Sequence, residues 1–128
     1  MPELRHDPIQ RRWVIIATER ARRPSDFSNE AASTRSAAFY PFAPGNEDQI
    51  PPEIFAFRDA GTKPDTPGWR VRVVPNKFPA LETEGDAERQ DVGLYDRMSG
   101  VGAHEVIVET PEPHESLASM DVEHLALV

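Results

Sequence analysis

Apolar residues along this chain come in short, separated bursts. Trp13-Val14-Ile15-Ile16-Ala17 is a β-branched run and predicts a strand. Ile54-Phe55-Ala56-Phe57-Arg58 predicts a second. Trp69-Arg70-Val71-Arg72-Val73-Val74 alternates apolar with charged positions, the period of a strand with one wet face. Val106-Ile107-Val108, framed by His104, Glu105 and Glu109, predicts another. Near the end the period lengthens. Val122, Leu125 and Val128 fall at i, i+3 and i+6, a helical pattern that Ser119 is placed to cap. The pattern stops at Val128 with no Gly, terminal basic residue or Pro, so the sequence is expected to be one part of a larger chain.

Between the bursts the chain is punctuated. Eight of its 13 Pro cluster at Pro41 to Pro52, at Pro64 and Pro67, and at Pro111 and Pro113. Proline fixes φ and removes a backbone donor, so these stretches read as turns and shaped loops. Residues 24–38 are rich in Ser, Ala and Asn and predict a mobile loop; 59–68 form a turn cluster; 82–92 are acidic and polar and predict an exposed loop. No internal repeat is present. A chain of 128 residues is one domain by length. The predicted class is α+β: a mostly antiparallel sheet with long loops and a packed C-terminal helix.

Composition narrows the classes. With 38% hydrophobic and 28% charged residues the chain reads as soluble and globular. No apolar run approaches the roughly 20 residues that span a membrane, and the first residues lack the apolar core of a secretory signal. The absence of Cys leaves no disulfide framework and no thiolate metal site. A cytoplasmic protein without membrane partners is expected. A formal net charge of -8 argues against nonspecific nucleic-acid binding, which needs broad phosphate neutralisation.

The charge is unevenly spread. Residues 1–23 hold six Arg against Glu3, Asp7 and Glu19, a local +3 on a remainder of -11. They end in Glu19-Arg20-Ala21-Arg22-Arg23-Pro24. A compact positive knot on an acidic body suits one small anion, such as a phosphate or diphosphate, gripped by guanidinium forks. The competing reading is a solvated run paired with nearby carboxylates. Catalytic groups are harder to find. The histidines are His6, His104, His114 and His124, none in a His-x-His arrangement. His6-Asp7 and His104-Glu105 are sequence neighbours, but adjacent residues on a strand point to opposite faces, so neither pair forms a nucleophile with its orienting partner. Gly100-x-Gly102 precedes a strand instead of opening a helix and is no dinucleotide loop.

Five segments, in order, resemble one family. Arg5-His6-Asp7-Pro8 with Arg12-Trp13-Val14-Ile15-Ile16 is similar to the opening strand of galactose-1-phosphate uridylyltransferases. Arg20-Ala21-Arg22-Arg23-Pro24 resembles their Arg-x-x-Arg-Pro motif, and Pro41-Phe42-Ala43-Pro44-Gly45-Asn46-Glu47 their Cys-Pro-Phe-Cys-x-Gly-Asn-Glu segment. Arg70 to Leu81, with Pro75-Asn76-Lys77-Phe78-Pro79, resembles their nucleotide-contacting strand and loop. Gly102 to Glu109, followed by Pro113-His114-Glu115-Ser116-Leu117, resembles the stretch after it. The resemblance implies the histidine-triad superfamily, with 1–128 as an N-terminal domain. It implies uridylyl transfer between UDP-glucose or UDP-galactose and a hexose 1-phosphate, through a covalent uridylyl-histidine. The nucleophile would sit in a His-Pro-His motif on a second half of the polypeptide that this sequence lacks, so no catalytic residue is assigned here and the chain alone is expected to be inactive. A homodimer is implied as well.

By resemblance, Arg20 and Arg23 contact the phosphates of the UDP-sugar, Asn76 and Lys77 the nucleotide, and Phe42 and Phe78 help form the base and ribose pocket. The chemistry of the side chains agrees. Arg offers fixed donors to phosphoryl oxygens, Asn both donates and accepts, and Phe supplies a flat apolar wall. Structural alternatives stand beside these roles: Asn76 as a turn residue after Pro75, Phe78 as core. Asn76 and Phe78 would serve adenine as well as uracil, so part of an ADP-sugar phosphorylase-type nucleotidyltransferase is a second reading. A non-catalytic nucleotide-binding or partner-docking module is a third. The metal departs from the family pattern. The family's zinc Cys positions hold Tyr40 and Ala43, and His114 is the one retained ligand, so no cofactor and no zinc of the family's kind is expected. A replacement site would have to draw on Glu47, Asp48 or His114.

Overall fold

The computed structural model describes residues 1–22 and 40–128; the predicted loop over 24–38 and Arg23 lie outside them. The strands are β1 (Glu3–Asp7), β2 (Arg12–Ile16), β3 (Phe55–Arg58), β4 (Trp69–Pro75), β5 (Arg89–Val92), β6 (Tyr95–Ser99) and β7 (Glu105–Val108). Short 3-10 turns run over Thr18–Arg22 and Glu47–Gln49, and α1 covers Val122–Leu125. Every strand pairing is antiparallel, so the class is the sheet-dominated α+β read from the sequence. No helix among the described residues is long and apolar enough to cross a membrane. The described residues divide into two compact units, 1–22 with Phe78–His104, and 40–77 with Glu105–Val128.

The first unit is a four-stranded sheet of order β2-β1-β6-β5. Its hairpins are closed locally. The Asp7 carboxylate accepts the N–H of Ile9 at 2.9 Å and of Gln10 at 3.2 Å. Those donors, Gln10 first, hold its pKa below the ordinary carboxylate range. Arg11 completes the β1–β2 turn at φ 53°. The β5–β6 turn is the two residues Gly93-Leu94, with Gly93 at φ 65°, the left-handed first position that primed hairpin turns demand. Residues 89–92, expected within an exposed loop, are therefore strand β5. They are exposed as expected, but their backbone is fixed by pairing with β6, which apolarity does not signal.

In the second unit β4 is the middle strand of the order β3-β4-β7. Trp69, Val71 and Val74 on it are at most 3% exposed. The alternation of β4 predicted a wet face, and Arg70 is exposed. Arg72 departs from that expectation: it is 1% exposed. Its Nε donates to Glu53 Oε2 at 2.8 Å and its Nη2 to Asp65 Oδ1 at 2.6 Å. Arg58 forks onto the same Glu53 carboxylate at 2.9 and 2.6 Å. Paired this way, a guanidinium can be buried beside valines. The terminal helix is one turn. Asp121, not Ser119, caps it, accepting the N–H of His124 at 2.7 Å, while the Ser119 hydroxyl closes a turn onto Ser116. Buried Met120 and a 2.6 Å contact from His124 Nε2 to the Glu109 carbonyl anchor the segment; Val122 is 81% exposed.

Candidate functional site

Arg20 follows β2 within the 3-10 turn Thr18–Arg22, whose first closure is Arg20 N–H to the Ala17 carbonyl at 3.1 Å. The side chain is half-buried. Its Nε is fully shielded and has no hydrogen-bond partner among the described residues. A shielded guanidinium donor without an acceptor is costly, about 1–3 kcal/mol or more. Arg23 lies outside the described residues.

Phe42 sits in the Pro-rich turn that precedes the 3-10 turn Glu47–Gln49, with 41% of its surface exposed. The turn is built from its own backbone. Ala43 N–H bonds the Tyr40 carbonyl at 3.0 Å, Asn46 N–H the Ala43 carbonyl at 3.1 Å, and Asn46 Nδ2 the Tyr40 carbonyl at 2.8 Å. Glu47 is pulled inward. Its carboxylate accepts Trp69 Nε1–H at 3.0 Å and Gly45 N–H at 2.9 Å, which accounts for a Glu that is 4% exposed. Glu47 is thus committed to packing, Asp48 is exposed, and His114 is exposed in a turn. Tyr40 and Ala43 offer no thiolate. No group of three His, Cys, Asp or Glu among the described residues is arranged to hold a metal, so these residues do not fit a tetrahedral zinc.

Asn76 and Lys77 leave the end of β4, the middle strand, directly after its last ladder pair, Pro75 with Glu105. Asn76 is half-buried and Lys77 exposed. Phe78, 38% exposed, is therefore no core residue. Arg20 and Phe78 belong to the first unit, and Phe42, Asn76 and Lys77 to the second. Downstream of Phe78 the backbone is pinned: the buried Ala80 donates its N–H to His104 Nδ1 at 2.9 Å. Sequence reasoning set His104 aside because its neighbour Glu105 points elsewhere. The Ala80 contact spans 24 residues and leaves no local signature.

The first unit also holds a cleft of about 600 Å³, lined by Arg5, Asp7, Ile9, Val14, Tyr95 and Arg97 among others. The opening motif Arg5-His6-Asp7-Pro8 and Val14 line it, but none of the residues assigned a binding role by resemblance does. Both of its guanidiniums are already engaged, Arg5 with Glu3 at 2.6 Å and Arg97 with Gln90 at 2.9 Å and Glu3 at 3.6 Å. It offers little uncompensated charge for a diphosphate, and the half-buried Arg20 is the better phosphate candidate.

No family model matches the chain. A curated protein does: ADP-glucose phosphorylase of Arabidopsis thaliana is 34% identical over 124 residues, 94% of this chain and 34% of that protein. This chain is its homologue. It spans about a third of the length of that relative. A crystal structure of an ADP-glucose phosphorylase from Arabidopsis thaliana with bound ADP-glucose is 32% identical and covers 94% of this chain and 32% of its own, with a TM-score of 0.46. The sequence similarity to ADP-glucose phosphorylase does not single out galactose-1-phosphate uridylyltransferases.

Proposed function

We propose that this chain is the nucleotide-sugar-binding part of a nucleotidyltransferase of the ADP-glucose phosphorylase kind. The 34% identity to ADP-glucose phosphorylase, running through nearly the whole chain, carries this reading. Arg20 and Arg23 hold the diphosphate, and Arg20 Nε, without an acceptor among the described residues, is one donor for it. Asn76 and Lys77 hold the ribose and phosphate edge of the nucleotide, and Phe42 and Phe78 wall the base. Such a part supplies positioning and charge stabilisation, the larger share of what phosphoryl-type transfer asks of a protein. A histidine elsewhere in the full polypeptide takes the nucleotidyl group as the diphosphate bond breaks and sugar 1-phosphate leaves, and an acceptor phosphate oxygen then takes the group and frees the histidine. A homodimer of the full-length protein in the cytoplasm completes the picture.

The second reading, part of a UDP-glucose–hexose-1-phosphate uridylyltransferase, keeps the same residues and changes the base; the five ordered motifs favour it. Calorimetric titration with ADP-glucose and with UDP-glucose separates them. Tighter binding of ADP-glucose is expected, and preference for UDP-glucose would move the chain to the uridylyl reading. A folded chain that binds neither would overturn both.

A further inference from the structure

His104 is half-buried in the first unit and takes no part in the residues assigned above. Its Nδ1 accepts the Ala80 N–H at 2.9 Å. An N–H donor needs a lone pair opposite it, so the imidazole is neutral at Nδ1 and carries its proton on Nε2. Ala80 is 7% exposed, and a buried backbone N–H must find a partner. Here that partner is a side chain reaching from the far end of the unit, instead of a carbonyl. Two backbone bonds extend the same seam: Glu82 N–H to Gly100 O at 2.9 Å and Gly102 N–H to Glu82 O at 2.8 Å. Gly102 lies so close to Leu81 that an added Cβ would come within 3.0 Å of Leu81 Cδ1. Residues 80–82 therefore have a fixed backbone course.

The sequence just before Ala80 transmits that course. Pro79 locks its own φ near −65° and confines Phe78 to extended conformations. With Ala80 N held, few backbone dihedrals between the anchor and Phe78 stay free. We propose that His104 is a positioning residue for the nucleotide loop: through Ala80 and Pro79 it sets the Phe78 ring as a ready-made wall for the base. The role rests on the proposed reading of Phe78. It goes beyond that reading in assigning the loop's preorganisation to one imidazole acceptor.

The test uses the full chain, with ADP-glucose as the probe. His104→Asn keeps an acceptor oxygen near the Nδ1 position; His104→Gln moves it about one methylene away, and His104→Ala removes it. Hydrogen exchange at the Ala80 amide, followed by NMR without ligand, reads the bond itself. Calorimetry with ADP-glucose reads its consequence. His104→Ala and His104→Gln are expected to lose Ala80 protection and to weaken ADP-glucose about tenfold, the order expected when a buried donor loses its acceptor. His104→Asn is expected to retain protection and to bind within about twofold of the parent. Adding His104→Ala to Phe78→Ala is expected to cost little more than Phe78→Ala alone, because the two act through one ring. Should the alanine variant not fold, the Asn and Gln pair carries the comparison. Unchanged Ala80 protection in His104→Gln overturns the proposal. So does full affinity in that variant while Phe78→Ala binds weakly, and there the base-wall reading survives. Full affinity in Phe78→Ala sinks the reading of Phe78 and the positioning role with it.

Discussion

Two charged side chains of this molecule are half-buried or buried with opposite degrees of satisfaction. Arg20 keeps one shielded donor without an acceptor among the described residues, whereas the Glu53 carboxylate accepts from both Arg58 and Arg72. The first arrangement suits binding and the second stability. Arg20→Ala is expected to weaken ADP-glucose by at least about tenfold, the range of a charge-assisted bond, with circular dichroism unchanged. Arg20→Lys should restore little, because an ammonium does not reproduce the Nε geometry. Glu53 has its pKa lowered from 4.5 to about 2, chiefly by the Arg58 fork. A depressed carboxylate stabilises the fold fully above its ordinary value and loses that contribution as pH falls toward the folded one. Denaturant midpoints should therefore drop between pH 4.5 and pH 2. Glu53→Gln should be less stable at pH 7, leaving two guanidiniums short of a counter-charge, and should show a shallower drop in that window. A drop of equal size in the variant would assign the acid sensitivity to other carboxylates. The Arg20 role is read from the basic knot around it, but the Glu53 role is not legible from neighbours in sequence. Arg72 reads as the wet half of an alternating strand because its partners, Glu53 and Asp65, are recruited from 19 and 7 residues away.

The strands visible in the sequence are those with an apolar reason to exist. β2, β3, β4 and β7 each carry two or more large apolar residues and were predicted nearly to their ends. β1, β5 and β6 read Glu-Leu-Arg-His-Asp, Arg-Gln-Asp-Val and Tyr-Asp-Arg-Met-Ser. They are held by ladder bonds and by cross-strand charge pairs such as Arg89 with Asp96, which no hydropathy pattern announces. β1 surfaced in the sequence only through its family motif. The clue to β5–β6 was Gly93 set between Val92 and Tyr95. A second glycine tests how closely the elements fit. Gly100 donates its N–H to the Pro2 carbonyl at 2.9 Å, and an added Cβ would fall 2.8 Å from that carbonyl's carbon and oxygen. Backbone cannot yield there without breaking the bond that fastens the start of β1. Gly100→Ala is expected to cost about 1–3 kcal/mol, read as a lowered denaturation midpoint; a midpoint within error of the parent would show that β1 can shift freely.

Across the whole molecule, a positive N-terminal stretch meets an acidic remainder, and the chain matches about a third of its relative's length. Binding without turnover is the expected behaviour. Exchange of label between ADP-glucose and glucose 1-phosphate should be undetectable with this chain alone, and measurable exchange would place the nucleophile among its four histidines. The two tryptophans offer a way to watch such experiments. Trp13 lies in the first unit, 39% exposed, with its ring 5.1 Å from His6 and 5.9 Å from the Arg89 guanidinium. Trp69 lies in the second, 3% exposed, with its indole N–H on Glu47. Their fluorescence should consequently resolve into a red, quencher-accessible component and a blue, protected one. Trp13→Phe and Trp69→Phe would then each leave a single-colour emitter, so the melting of either unit can be followed optically without attaching a dye.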